Sequence, residues 1–311
     1  MRVAAIQQEP VIGDIAANLA ACEKLAEEAG TAGAEIIVLP EFFTSGMGFA
    51  PVLANVGLPF DGPATHLVQA VSRRFGAIVG GSFLCRDPDG EVRNAFVVAS
   101  EGIVVGRHDK DMPTMWENCF YVGGSDDGIV ALAGLDLGAV LCLEFNRTAT
   151  ALRLRGGVDL VVSGSSVWSV PEFLPGPAFR RLEERMDAID RSRPRLARMV
   201  GAPVVEATHC GRLDSAMPWA PGLRYRTRLR GGAQILDAAG SVVARREPEA
   251  GPGIVIADVA VGRAVPVEPL PDSYWIEPMG PVGELLWRYQ RIHGRRWYRR
   301  HVGPLRPRLI P

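Results

Sequence analysis

A single α/β domain is what the sequence predicts, and three observations carry that reading. Short apolar runs suited to buried strands alternate with longer segments of helical apolar spacing. No shift in composition marks a linker, and 311 residues with 47% hydrophobic content suffice for a sizeable core.

Residues 3–7 open the chain as a strand. After a turn at Pro10 and Gly13, Asp14 can cap a helix that sets Ile15, Leu19, Cys22 and Leu25 on one face. Residues 34–39 read as a buried strand ending at Pro40-Glu41, which leaves Glu41 at the strand's C-terminal edge. A second helix begins with Pro63 in its first turn, aligns Leu67 with Val71 and ends near Gly76. Strands follow at 77–83, at 92–99 after the Asp89-Gly90 turn, and at 103–105, with Lys110 expected in a loop. The apolar run from Gly138 to Leu143 then carries Cys142 to a strand-to-helix turn, where a helix N-terminus would favour the thiolate. A helix over 147–155, a strand over 158–162 and a long helical stretch from about Pro177, kinked or ended by Pro194, come next. Strands at 203–207, 233–236 and 254–259 close the domain, placed at residues 1–265. In the remaining extension, residues 266–311, arginines alternate from Arg288 onward with Ile292, Trp297, Tyr298 and Leu305, and acidic residues vanish. We expect this tail to pack across a partner subunit or to be partly disordered.

The formal net charge of -1 gives no global attraction to nucleic acid or to an anionic membrane. No apolar run approaches the roughly 20 residues of a spanning helix, and the N-terminus lacks a signal-peptide pattern, so we expect a cytoplasmic protein with no membrane partner. The five cysteines are scattered without CxxC spacing or clustered histidines, which suggests free thiols rather than disulfides or a zinc site.

Three segments carry chemistry. Glu41 follows the hydrophobic run Ile36-Ile37-Val38, Lys110 opens Lys110-Asp111-Met112-Pro113-Thr114-Met115-Trp116-Glu117, and Cys142 ends its own run. A free thiol is only about 3% thiolate at pH 7, so it needs a base or a cation beside it. A desolvated Glu41 could take the proton, and Lys110 could stabilise charge that develops in the transition state. The backbone N–H of Leu143, next to the nucleophile, could be a second donor. Taken singly, Cys142 reads as a core thiol, Lys110 as a solvated lysine, Glu41 as a strand-end cap, and Glu117 carries almost no signal. Their order and flanking residues together point to thiol catalysis without metal or organic cofactor.

Those segments, with the opening Val3-Ala4-Ala5-Ile6-Gln7, Gly13-Asp14, Gly80-Gly81-Ser82, Asn94-Ala95, Gly232 to Asp237 and Gly253 to Asp258, resemble the nitrilase superfamily, the carbon-nitrogen hydrolases. The resemblance runs from Met1 to about Arg263. It implies a four-layer α-β-β-α sandwich, with Glu41 as general base, Lys110 as transition-state stabiliser, Cys142 as nucleophile and Glu117 as a supporting glutamate. It also implies at least a homodimer, through the helices after Cys142 and after Pro177. The substrate would be a small amide or nitrile. Lys110-Asp111-Met112-Pro113-Thr114 is similar to the loop of true nitrilases, whereas Cys142-Leu143-Glu144 lacks their aromatic residue, and the balance leans to amides. Phe42, Phe43, Trp116, Tyr121 and Trp168 are the expected pocket walls, suited to an apolar or aromatic acyl group. Acyl transfer to an amine and a non-catalytic binding role are the rival readings.

Overall fold

The computed structural model describes residues 1–216 and 222–304. Its first half holds strands β1 (Arg2–Gln8), β2 (Ile36–Val38), β3 (Leu58–Pro59), β4 (Ile78–Arg86), β5 (Val92–Ser100) and β6 (Ile103–Asp109), with helices α1 (Ile15–Thr31) and α2 (Pro63–Phe75). Next come β7 (Ile129–Leu132), β8 (Leu135–Leu141), α3 (Thr148–Leu154), β9 (Leu160–Ser165), α4 (Gly176–Asp190), α5 (Ser192–Val200) and β10 (Val204–His209). A hairpin of β11 (Arg212–Ala216) and β12 (Arg224–Arg228) precedes β13 (Gln234–Leu236), β14 (Val242–Arg245), β15 (Gly253–Asp258) and helix α6 (Gly280–His301).

The strands divide into two sheets that share one corner. One runs β6-β5-β4-β2-β1-β15 and the other β7-β8-β9-β10-β13-β14, and they are joined where Gln7 and Gln8 of β1 pair with Thr208 and His209 of β10. Period-2 alternation sends neighbouring residues to different layers. Ala4 and Ile6 of β1 pack outward with Leu25 of α1 and Val68 of α2. Val3 and Ala5 pack inward, against Leu137 and Leu141 of β8 and Val205 of β10. Val140, Val161 and Val204 face Leu154 of α3 and Leu196 of α5. Helices, sheet, sheet and helices thus make the four expected layers, and burial on both faces explains why these strands read as continuous apolar runs.

Several local expectations change. The long helical stretch does not break at Pro194. It divides at Arg191, and Pro194 sits in the first turn of α5, where its missing N–H costs nothing. β6 runs further than expected, to Asp109, and Lys110 lies in the loop that directly follows it. The described part of the arginine-rich tail is helical and packs on this same chain. Trp287, Gln290, Gly294 and Tyr298 recur at helical spacing on the buried face of α6, and Gly294 backs onto Asn118 so closely that a Cβ would meet it at 2.6 Å. Tyr298 donates to Glu91 at 2.6 Å and accepts from the Val92 amide at 2.8 Å. Leu305 lies outside the described residues. Among the described residues, no helix is long and apolar enough to cross a membrane.

The topology collects the chemistry on one edge. β1, β2, β4, β8, β9 and β10 run parallel, and β6 regains that direction through two antiparallel steps from β4. Glu41, Lys110, Cys142 and Ser166 therefore all lie just beyond strand C-terminal ends on the same side.

Candidate active site

Glu41 lies beneath the surface with no exposure. Its Oε1 accepts from Lys110 Nζ at 2.8 Å and from Asn94 Nδ2 at 2.8 Å, and its Oε2 accepts from the Ser166 amide at 3.1 Å. The approach is possible because residue 164 is glycine, since a Cβ there would stand 2.4 Å from the Glu41 nitrogen. Burial pushes the Glu41 carboxyl up and Lys110 pulls it back, leaving it at about 7.

Lys110 Nζ also donates to Glu117 Oε2 at 2.9 Å, and Glu117 Oε2 accepts from the Thr114 amide at 2.9 Å and from the Tyr121 hydroxyl. Burial works against the lysine charge, but Glu117 and Glu41 outweigh it and hold the ammonium well above its ordinary range. Lys110 is therefore a fixed cation between two carboxylates, with the rings of Phe42 and Tyr121 each 6.0 Å from Nζ.

Cys142 is buried, with 7% of its surface exposed. Its φ of 50° places it in the left-handed region, as do those of Phe42 beside Glu41 (55°) and Met115 beside Glu117 (49°). Such conformations cost non-glycine residues roughly 1–2 kcal/mol each and recur where a side chain must be aimed out of a turn. The Ser166 amide faces the Cys142 sulfur, and Glu41, Lys110 and Glu117 all act on it electrostatically. The expectation of a helix-stabilised thiolate fails. Cys142 opens a five-residue 3-10 turn rather than a long helix, and burial, then Glu41, push its thiol up despite Lys110.

The pocket residues separate. Trp116 is buried, and its ring lies 4.9 Å from that of half-buried Trp168 and 5.0 Å from that of Tyr225. Leu143, like Met112 and Met115, packs against the buried cluster of Trp275, Met279 and Trp287. As the second residue of its turn, Leu143 has no i−3 acceptor within that turn for its amide. Phe42 and Tyr121 are wholly enclosed around Lys110 and form the inner wall of the charge cluster. Phe43 departs from expectation: it turns into the outer core, edge-on to Phe83 at 6.3 Å. A cavity of about 510 Å³ has Tyr121, Asn118, Arg295 and Tyr298 in its walls, but not Glu41, Lys110 or Cys142.

The signature of the carbon-nitrogen hydrolases matches residues 2–268. The chain belongs to the carbon-nitrogen hydrolase family. A nitrilase of Pyrococcus abyssi is 28% identical over 163 residues, 50% of this chain and 62% of that protein. An omega-amidase of Yersinia enterocolitica is 30% identical over 146 residues, 46% of this chain and 55% of that protein. The matched stretches thus span little more than half of either relative. The fold is similar to that of a carbon-nitrogen hydrolase from Helicobacter pylori (TM-score 0.71, 17% identity, 84% of this chain and 89% of that one). It is also similar to that of an amidase from Nesterenkonia sp. AN1 solved with butyramide (TM-score 0.61, 18% identity, 84% and 91% covered).

In this carbon-nitrogen hydrolase, sequence reasoning gave no role to four groups at the site. Asn94 and the Ser166 amide hold Glu41, His209 Nε2 lies 2.6 Å from the Glu41 carbonyl oxygen, and Tyr225 completes the aromatic wall. Asn94 lay within a noticed Asn-Ala pair at the start of β5, which was the one available signal. The others reach the site through long-range contacts, 125 positions for Ser166 and 168 for His209, and leave no local pattern.

Proposed function

We propose that the protein hydrolyses a non-peptide C–N bond of a small amide through a thioester on Cys142. The observation that carries this is buried Lys110 bonded to both Glu41 and Glu117, with Cys142 close enough for all three to act on its thiol. In this reading Glu41 takes the Cys142 proton as the sulfur attacks the carbonyl carbon. Lys110 stabilises the oxyanion, a contribution of roughly 3–4 kcal/mol for one such donor. Glu41 then gives its proton to the departing nitrogen, so ammonia or an amine leaves and the thioester remains. A water deprotonated by Glu41 attacks that thioester, the C–S bond breaks, and the carboxylic acid is released as the thiol regains its proton. A nitrile would follow the same path through a thioimidate that water converts to the thioester with loss of ammonia.

Amides are favoured because Cys142-Leu143-Glu144 lacks the aromatic residue that true nitrilases carry after the nucleophile. The names of the Yersinia and Nesterenkonia proteins agree with that choice, and the Pyrococcus name keeps nitriles as the second reading. The Trp116, Trp168 and Tyr225 rings suit an apolar acyl group. A homodimer remains the expected assembly, and a monomer on sedimentation at micromolar concentration would contradict it. The function is tested by ammonia release from paired amides and nitriles of the same acyl groups, for wild type and Cys142→Ala. The amide of each pair should turn over faster and the variant should release nothing. Preference for nitriles would move the reading to the second class, and undiminished turnover by Cys142→Ala would sink it.

A further inference from the structure

A second charge cluster, with His108 and Glu144 buried and Asp126 at the surface, lies behind the segments that carry Lys110 and Cys142, and the proposed chemistry uses none of its side chains. His108 has no exposure. Its Nδ1 lies 2.5 Å from Asp126 Oδ1 and its Nε2 lies 3.0 Å from Glu144 Oε2. Both carboxylates also receive backbone N–H bonds and can only accept, so both ring nitrogens donate and the ring is an imidazolium. Burial opposes that charge, but Glu144 and Asp126 outweigh it and raise His108 to about 9.

The backbone bonds show what the cluster holds. Glu144 Oε2 accepts from the amide of Leu141, the residue before Cys142, at 2.7 Å. Its Oε1 accepts from the amide of Asp111, the residue after Lys110, at 3.0 Å. Asp126 Oδ2 accepts from the amide of Asp109, the residue before Lys110, at 2.9 Å. One carboxylate–imidazolium–carboxylate chain therefore pins both amides flanking Lys110 and the amide preceding Cys142. Gly128, at φ 67°, leaves the room this requires, because a Cβ would stand 3.2 Å from His108 Nδ1 and 3.0 Å from the Ala139 carbonyl oxygen.

We propose that His108 is a positioning residue whose imidazolium, clamped between Asp126 and Glu144, fixes the placement of Lys110 relative to Cys142. This rests on the hydrolase reading for its kinetic readout. The other charges facing the cluster are Arg153 of α3, 3.7 Å from Glu144, Asp111 paired with Arg147, and Asp109 paired with Arg107. Arg153 also offers N–H groups toward Glu144, but its guanidinium is already bonded to the Ala139 carbonyl oxygen at 3.3 Å and replaces only part of what His108 donates. A neutral ring has one N–H for two carboxylates, so turnover should decline as pH rises through about 9.

The test uses full-length His108→Gln and Asp126→Asn. It follows kcat and KM on the best amide across roughly pH 6 to 10, together with iodoacetamide alkylation of Cys142 by peptide mass. With the fold intact by circular dichroism, His108→Gln should lose about 10- to 100-fold in kcat with little change in KM. It should also alkylate more slowly and lose the alkaline decline of the wild type. Asp126→Asn, which keeps the ring and the other carboxylate, should lose several-fold in both rates. A purely structural role would lower the melting temperature but leave kcat, the pH profile and alkylation unchanged, and that result overturns the proposal. If His108→Gln does not fold, unchanged rates in Asp126→Asn overturn it equally. If the wild type hydrolyses nothing, the hydrolase reading fails by itself, and the alkylation rates still decide whether His108 positions the thiol.

Discussion

Glu41 and Glu144 are both buried glutamates just beyond strand ends, each bonded to a cation, yet they are pushed in opposite directions. Glu41 is held at about 7, whereas Glu144 is held well below the usual carboxylate range. Burial raises both. The difference lies in the donors: Glu144 has His108, Arg153 and the amides of Leu141 and Asp111, while Lys110, the cation at Glu41, is shared with Glu117. A carboxylate surrounded by committed donors stays charged and serves as a strut. One whose cation is divided, and which faces a second carboxylate, can gain and lose a proton near neutral pH.

That contrast is breakable, and the largest effect should come from the base. Glu41→Gln should lower kcat by about 10⁴-fold, since the residue serves both halves of the cycle. Its stability should move the other way. A carboxyl raised from 4.5 to about 7 in the folded state contributes stability below pH 4.5 that is lost as pH rises through about 7. Wild type should therefore lose ground to Glu41→Gln across that window in urea titrations.

Lys110→Met should reduce kcat by about 10²- to 10³-fold. It should also destabilise the fold by about 3–5 kcal/mol, because two buried carboxylates lose their shared cation. A milder signature is the acid limb of kcat/KM. It should follow the unprotonated fraction of Glu41, rising through about pH 7 and levelling off before the decline expected near 9. The smallest effect should be that of Glu144→Gln, a loss of about 1–3 kcal/mol for the donors left without their anion. Because the Glu144 pKa is depressed on folding, that loss should be full above pH 4.5 and fade as pH falls below it, the reverse of Glu41. Parallel pH slopes for the two variants would end the distinction between base and strut.

Much of this fold was legible because its strands are buried on both faces and stand out as apolar runs. Glu41, Lys110 and Cys142 could be picked out because each ends such a run. The β11–β12 hairpin was not legible, since Arg212, Asp214, Arg224, Arg226 and Arg228 erase any apolar pattern. Helix α6 was not read as a helix because its arginines mask the spacing of Trp287, Gly294 and Tyr298. Glu144 was noted only as a neighbour of Cys142, and His108 looked like one more polar residue. Their meaning lies in a pairing 36 residues apart, which registers only after β6 and β8 have brought their ends together.

The most direct measurement is the mass of the Cys142 peptide, after rapid acid quench of the enzyme turning over its best amide. The account predicts an acyl adduct on Cys142 that appears within a single turnover and is absent from Cys142→Ala. Steady amide hydrolysis with an unmodified Cys142 at every quench time, undiminished in Cys142→Ala, would contradict it.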